Sequence, residues 1–334
     1  MFGTSVAEQG IDEDRMNSLM PKPVREKRIL WEVPMAPKPE REPWLLAVDG
    51  SDDAFETVHY VSKIHSSKER QMVLFAVVSK VPDVYWDLKK EPVYNRKLGE
   101  LLAWETHRAK QLEEYMAEAR QILINAGFPA ESVEVKVQER QKGIARDIIH
   151  EAGKGYAVLV VGRKGISRVR GVLLGSIATK LLERVATVPV VLVGRDVRPG
   201  KVLIAFDGSA GSLKAVDCVG SVFGSSEHEV NLTNVVRQEE KDRIAQAERS
   251  IAEAFDKAIE RLSACGITRT RISTQIITGA SSRAEAIVEE ADQGGYGTIA
   301  VGRRGMSDAR DFSMGAVSNK VVQLATQRAV WIVS

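Results

Sequence analysis

Gly162, Gly165, Gly175 and Ser176 stand at a spacing suited to holding an anion: Gly162-x2-Gly165, nine further residues, then Gly175-Ser176. Glycine permits positive φ and lets main-chain N–H groups approach a ligand closely. Successive N–H groups can cradle phosphate oxygens, and a helix opening at Gly175-Ser176 would present unpaired donors and the positive end of its dipole. The Ser176 hydroxyl can add a bond to phosphate or cap that helix. Lys164, Arg168 and Arg170 put positive charge around the same stretch. A second group with chemical potential is Asp49-Gly50-Ser51. A carboxylate there could accept bonds from an amino group or from sugar hydroxyls, or it could cap the next turn through its own side chain.

These residues need elements to carry them, and the chain supplies the same elements twice. Trp44-Leu45-Leu46-Ala47-Val48-Asp49-Gly50-Ser51 returns as Val202-Leu203-Ile204-Ala205-Phe206-Asp207-Gly208-Ser209. Val160-Val161-Gly162-Arg163-Lys164-Gly165 returns as Ala300-Val301-Gly302-Arg303-Arg304-Gly305, and Val188–Val193 returns as Ala329–Val333. Three landmarks in one order indicate duplication. The stretches divide into an N-terminal extension (1–42), a first copy (43–195) and a second copy (196–334), with Pro199 punctuating the linker. Each copy alternates short β-branched runs with helical stretches, among them long amphipathic helices over 98–126 and 241–265 that stop at Gly127 and Gly266. Runs apolar on both faces imply parallel strands covered by helices. The expected class is therefore α/β: two tandem open-sheet, Rossmann-like nucleotide-binding domains, each a five-stranded parallel sheet with helices on both faces. Ligands in such sheets sit at the carboxyl ends of strands, where the winding reverses.

The glycine spacing after a buried strand, in a unit opening with strand and Asp-Gly-Ser, resembles the universal stress protein family in its tandem form. ATP-binding members carry G-x2-G-x9-G-(S/T), which Gly162, Gly165, Gly175 and Ser176 match, and the resemblance covers residues 43–334. It implies that Asp49 contacts the adenosine and that backbone at Val77 holds adenine. It also implies that Val161, Gly162, Arg163, Gly165, Gly175, Ser176 and Ile177 meet ribose and phosphates. It implies pairing of the two copies through their fifth strands, and whole chains forming homodimers. The expected cofactor is ATP, alone or with Mg²⁺. The role it implies is regulatory or sensory, in a stress response, with a protein partner that the sequence does not name.

The second copy keeps Gly302, Gly305 and Gly315 but has Ala316 in place of the hydroxyl residue, and it places Asp308 and Asp311 in the loop. Carboxylates beside a triphosphate repel it, with Arg303, Arg304 and Arg310 as an offset. Weak or absent triphosphate binding is expected there. An adenosine pocket built on Asp207, Val235 and Val301 remains open, as does a copy kept for pairing alone. The first copy is longer than the second between its second strand and its long helix. That insertion (79–98) holds Tyr85, Trp86 and Tyr94, which suit a lid or a surface elaboration. In the extension, Ile29, Leu30, Trp31 and Val33 suit either a flexible tail or a clamp.

Composition excludes other classes. The net charge is +2 with 28% charged residues, so neither nucleic acid nor an acidic membrane surface is expected as partner. No apolar run reaches the ~18 residues of a membrane span. Acidic residues between Glu8 and Asp14 interrupt any secretory h-region. Cys218 and Cys265 form no CxxC, which fits a reduced, cytoplasmic setting. The five histidines lack ligand spacing, and neither a Walker loop nor GxGxxG after a first strand is present. With no positioned general base in view, a slow ATPase or phosphotransferase is the enzymatic alternative, and a nucleotide-free scaffold is the non-enzymatic one.

Overall fold

The computed structural model describes residues 42–64, 70–79, 92–165, 173–195, 197, 200–224, 226–237, 244–305 and 314–334, with the side chains of 92–102, 105 and 244–250 left aside. The first copy runs β1 (Trp44–Ala47), α1 (Asp52–Ser62), β2 (Met72–Val78), α2 (Pro92–Asn125), β3 (Val133–Glu139), α3 (Ile144–Ala152), β4 (Val158–Gly162), α4 (Ser176–Arg184) and β5 (Val190–Val193). The second repeats it: β6 (Lys201–Ala205), α5 (Ala210–Phe223), β7 (Glu229–Arg237), α6 (Ile244–Ala264), β8 (Ile272–Ala280), α7 (Arg283–Gln293), β9 (Thr298–Gly302), α8 (Ala316–Leu324) and β10 (Ala329–Val333).

The strands form one ten-stranded sheet in the order β3-β2-β1-β4-β5-β10-β9-β6-β7-β8. Within each copy every pairing is parallel, as the doubly apolar runs require. The seam between copies is the antiparallel pair β5–β10, with Trp331 opposite Val191 and Ile332 opposite Val190. Two five-stranded sheets were expected, and they are fused at this seam. The order places a reversal of winding between β1 and β4, and again between β6 and β9. A crevice therefore opens at the carboxyl ends of each pair.

Side chains on alternate strand residues feed two cores, one per sheet face, and both run through the seam. Trp44, Leu46, Val191 and Trp331 lie on one side, and Leu45, Leu159, Leu192 and Ile332 on the other. Trp331 fills the centre of the first, edge-on to Trp44 with ring centroids 5.8 Å apart. Its indole N–H donates to the buried Tyr60 hydroxyl at 2.7 Å, and that hydroxyl also bonds Thr298 Oγ1 at 2.9 Å. A side chain of α1 is thus tied to β9 and β10 of the other copy.

The long helices stop at Gly127 (φ 100°) and Gly266 (φ 98°), the left-handed conformation their glycines permit. α2 buries Tyr115, Met116, Ala119 and Leu123, the spacing of one helical face. It begins at Pro92, inside the stretch read as an insertion, because proline suits a first turn whose N–H groups need no intrahelical acceptor. The rest of that stretch, including Tyr85 and Trp86, the side chain of Tyr94, and the extension with Ile29, Leu30, Trp31 and Val33 lie outside the described residues. Among the described residues no helix is long and apolar enough to cross a membrane.

Candidate functional site

β1 ends at Ala47, and the chain turns at once. Gly50 takes φ 82°, which a side chain would resist, and Asp49 closes the turn: its Oδ1 accepts the Ser51 N–H at 3.1 Å and the Ser51 hydroxyl at 2.6 Å. The Ser51 Oγ then caps α1 by accepting the Ala54 N–H at 3.3 Å. The turn-capping reading of Asp49 is seen here: one oxygen makes the turn while Oδ2 lies against Gly165. A Cβ built on Gly165 would sit 2.4 Å from that oxygen.

β2 continues past the end of β1. Phe75 O accepts the Val48 N–H at 2.9 Å, and strand alternation puts the N–H and C=O of Val77 on the same side, beyond the last residue of β1. Val78 O faces the other way and takes the Arg140 N–H at 2.7 Å. Val77 thus presents one donor and one acceptor past the strand end.

β4 leads into Gly162–Gly165, and Gly175 N–H returns to Arg163 O at 2.8 Å, closing the loop onto α4. The first bond of α4 is Thr179 N–H to Gly175 O at 3.0 Å, so the amides of Ser176, Ile177 and Ala178 precede any intrahelical acceptor. Gly175 is the N-cap residue and offers no side-chain cap.

The loop glycines act differently from expectation. None of Gly162, Gly165 and Gly175 has positive φ. They are small because neighbours crowd them: a Cβ on Gly162 would lie 3.0 Å from Asp53 O, and one on Gly175 3.3 Å from Arg163 O. Among the described glycines of the cleft the positive-φ position is Gly50.

Together these elements bound a cleft of about 1150 Å³, lined by Asp49, Gly50, Val77, Val161, Gly162, Arg163, Lys164, Gly165, Gly175, Ser176 and Ile177. Of the described site residues singled out in the first copy, Ser51 alone does not line the cleft. Arg163 belongs to the wall but has little to give a ligand. Its N–H goes to Val193 O, its carbonyl takes Gly175 N–H, and its guanidinium, 4% exposed, donates to Val322 O and Ala325 O of the second copy. Burial pushes that guanidinium down to about 10. Arg168 and Arg170 lie outside the described residues.

Tyr115 is a lining residue that local sequence gave no reason to select. It is 5% exposed, packs on Phe55 with centroids 4.1 Å apart, and its buried hydroxyl has no hydrogen-bond partner among the described residues. Burial raises the pKa of this hydroxyl, and the charges of Asp49 and then Glu118 add to that, which places it in the field of the Asp49 carboxylate. An orphaned buried hydroxyl and a glycine facing a carboxylate are features that a polar ligand in this cleft would complete.

The second copy repeats the frame with different contents. Gly208 takes φ 77°, Asp207 Oδ1 accepts Ser209 N–H at 3.0 Å, and a Cβ on Gly305 would lie 2.7 Å from Asp207 Oδ2. Val301 and Gly302 end β9, Gly315 caps α8, and Asn319 N–H bonds Gly315 O at 2.9 Å, so the amide cradle keeps its backbone. Two side chains depart. Ala316 removes the hydroxyl, and Arg283 Nε donates to Val235 O at 3.2 Å, occupying the carbonyl equivalent to that of Val77. Arg303 does not serve as the expected offset to loop carboxylates, because its guanidinium is buried against the first copy. Asp308, Arg310 and Asp311 lie outside the described residues.

A model of the universal stress protein family matches residues 41–194 and again 199–334. The structure of a universal stress protein from Archaeoglobus fulgidus DSM 4304 is similar with a TM-score of 0.58 at 19% identity, over 87% of this chain and 98% of that one. A functionally unknown protein from Pseudomonas aeruginosa PAO1 gives 0.53 at 13% identity, over 88% and 92%. Both likenesses bear on the fold alone. A universal stress protein in complex with cAMP is 26% identical over 40% of this chain and 94% of its own, with a TM-score of 0.32. The comparison with curated proteins gave no match.

Proposed function

This chain belongs to the universal stress protein family, with two copies in tandem, and on that premise we propose that its first copy binds ATP as a regulatory ligand in a stress response. One observation carries the reading: the Asp49 carboxylate, the Val77 backbone edge, Lys164 and the leading amides of α4 line a single cleft. Each group matches a part of the nucleotide. The donor and acceptor of Val77 suit the edge of adenine, which carries both. Asp49 suits the ribose hydroxyls, and the orphaned Tyr115 hydroxyl lies in the same neighbourhood. Lys164 and the amides of Ser176, Ile177 and Ala178 suit the phosphates, where donors and a helix dipole favour negative charge. Among the described residues no group of three His, Cys, Asp or Glu side chains could hold a metal, so Mg²⁺ would arrive on the phosphates.

The second copy is proposed to bind triphosphate weakly or not at all, since it lacks the hydroxyl of Ser176 and gives the Val235 carbonyl to Arg283. The units are taken as 43–195 and 196–334, set in the cytoplasm and signalling to a protein partner or a second chain. The test is calorimetric titration of the full chain with ATP. One tight site per chain is expected, and Gly175→Val, crowding Arg163 O, should abolish it. Two equal sites would contradict the assignment of the second copy, and none would favour a scaffold.

A further inference from the structure

The two loop arginines cross the seam in reciprocal fashion. Arg163 donates to Val322 O and Ala325 O at the end of α8, and Arg303 donates to Leu182 O and Val185 O at the end of α4. Arg303 also donates through Nε to Ser334 Oγ at 2.7 Å. It is 6% exposed, and burial lowers its affinity for its proton. No ion pair to a carboxylate is made by Arg303 among the described residues, so its charge faces the negative end of a helix instead.

That helix is α4, whose other end supplies the amides of the first copy's cleft. It has nine residues, fewer than the ~12–15 an isolated helix needs to hold together in water. Its N-terminus has no side-chain cap. Together with its buried face of Ala178, Leu181 and Leu182, the contacts that fix its C-terminal carbonyls set the helix in place. We propose that Arg303, a residue of the second copy, is a positioning residue for the phosphate end of the first copy's nucleotide site. It holds α4 from behind and does not touch the nucleotide. This gives the second copy a task at the first copy's site: its loop keeps the arginine although Ala316 has replaced the hydroxyl residue.

The inference rests on the ATP reading above. The experiment titrates the full chain with ATP and, separately, with adenosine, in the parent protein, in Arg303→Gln and in Arg303→Lys. Arg303→Gln is expected to weaken ATP about three- to tenfold, the size of a helix-terminus effect, and to leave adenosine within about twofold. Arg303→Lys, which returns the charge, should recover part of the ATP loss. An unchanged ratio of ATP to adenosine affinity, or equal weakening of both, overturns the proposal, because a purely structural role moves both ligands together. If Arg303→Gln does not fold, the comparison of Arg303→Lys with the parent decides: the lysine loses the paired carbonyl contacts, so the ratio must fall, and a constant ratio is fatal. A parent protein that binds no ATP refutes the functional reading itself, whereas a parent that binds ATP with an unmoved ratio refutes only the role of Arg303.

Discussion

At the residue scale the cleft separates small size from backbone freedom. Gly165 has no left-handed conformation to protect, and a Cβ there meets only the tip of the Asp49 side chain. Gly165→Ala should therefore fold, with a melting temperature within a few degrees of the parent, while ATP binding falls at least about tenfold because the carboxylate is displaced. A large loss of stability would show that the loop is more tightly set than this geometry implies. Tyr115→Phe tests the opposite case. Removing a buried hydroxyl that has no partner among the described residues should leave the unliganded protein equally stable or more stable by up to ~1–3 kcal/mol. Nucleotide affinity should fall several-fold if the hydroxyl finds its partner on the ligand, and titration beside thermal melts reads both effects. The sequence displayed Asp49, the glycines and Lys164 because their spacing is local. It hid Tyr115, which reaches the cleft only through the packing of a long helix. It gave no sign that the guanidinium groups of Arg163 and Arg303 find acceptors in the other copy.

At the scale of elements, the strands were legible from their apolar runs, and the long helices from one buried face and a terminal glycine. The start of α2 was not, because proline reads equally as loop or as first turn. How α3 is fastened was hidden too. Glu151 on α3 is buried and receives Lys136 of β3 at 2.7 Å, Lys154 at 2.9 Å and the Tyr156 hydroxyl at 2.7 Å. Burial alone would raise its pKa, but these three donors outweigh burial and hold it down to about 2. A carboxyl depressed from its ordinary 4.5 contributes stability in full above 4.5, and that contribution drains away as the pH falls toward 2. Both lysines are partly exposed, which screens the gain. Glu151→Gln should cost about 1–3 kcal/mol at neutral pH, and the difference from the parent should shrink as the pH is lowered from 4.5. Chemical denaturation at stepped pH checks this, and a gap that stays constant would exclude the ion pairs as its source.

At the scale of the molecule, both cores cross the β5–β10 seam, and α1 is bonded to β9 and β10 through Tyr60. Residues 41–334 accordingly form one compact unit. The two copies should melt in a single calorimetric transition, and Trp331→Ala, which empties the centre of the seam at a cost of about 3–5 kcal/mol, should lower it as a whole. Two resolved transitions in the parent would mean that the shared cores do not couple the copies. Duplication was plain from the repeated landmarks, and the fifth-strand pairing implied by the resemblance is the seam that fuses the two sheets.

The antiparallel seam has one more consequence. Two halves that meet through their own final strands on a single polypeptide do not separate on dilution, because the tether keeps each at a fixed, high local concentration of the other. Each chain thereby saturates the valence that an unpaired fifth strand would offer. Among the described strands the outermost are β3 and β8, and β3 carries Glu134, Lys136 and Glu139, charges that discourage a further strand from docking. A larger assembly built away from the seam can vary in stoichiometry without disturbing the pairing within the chain.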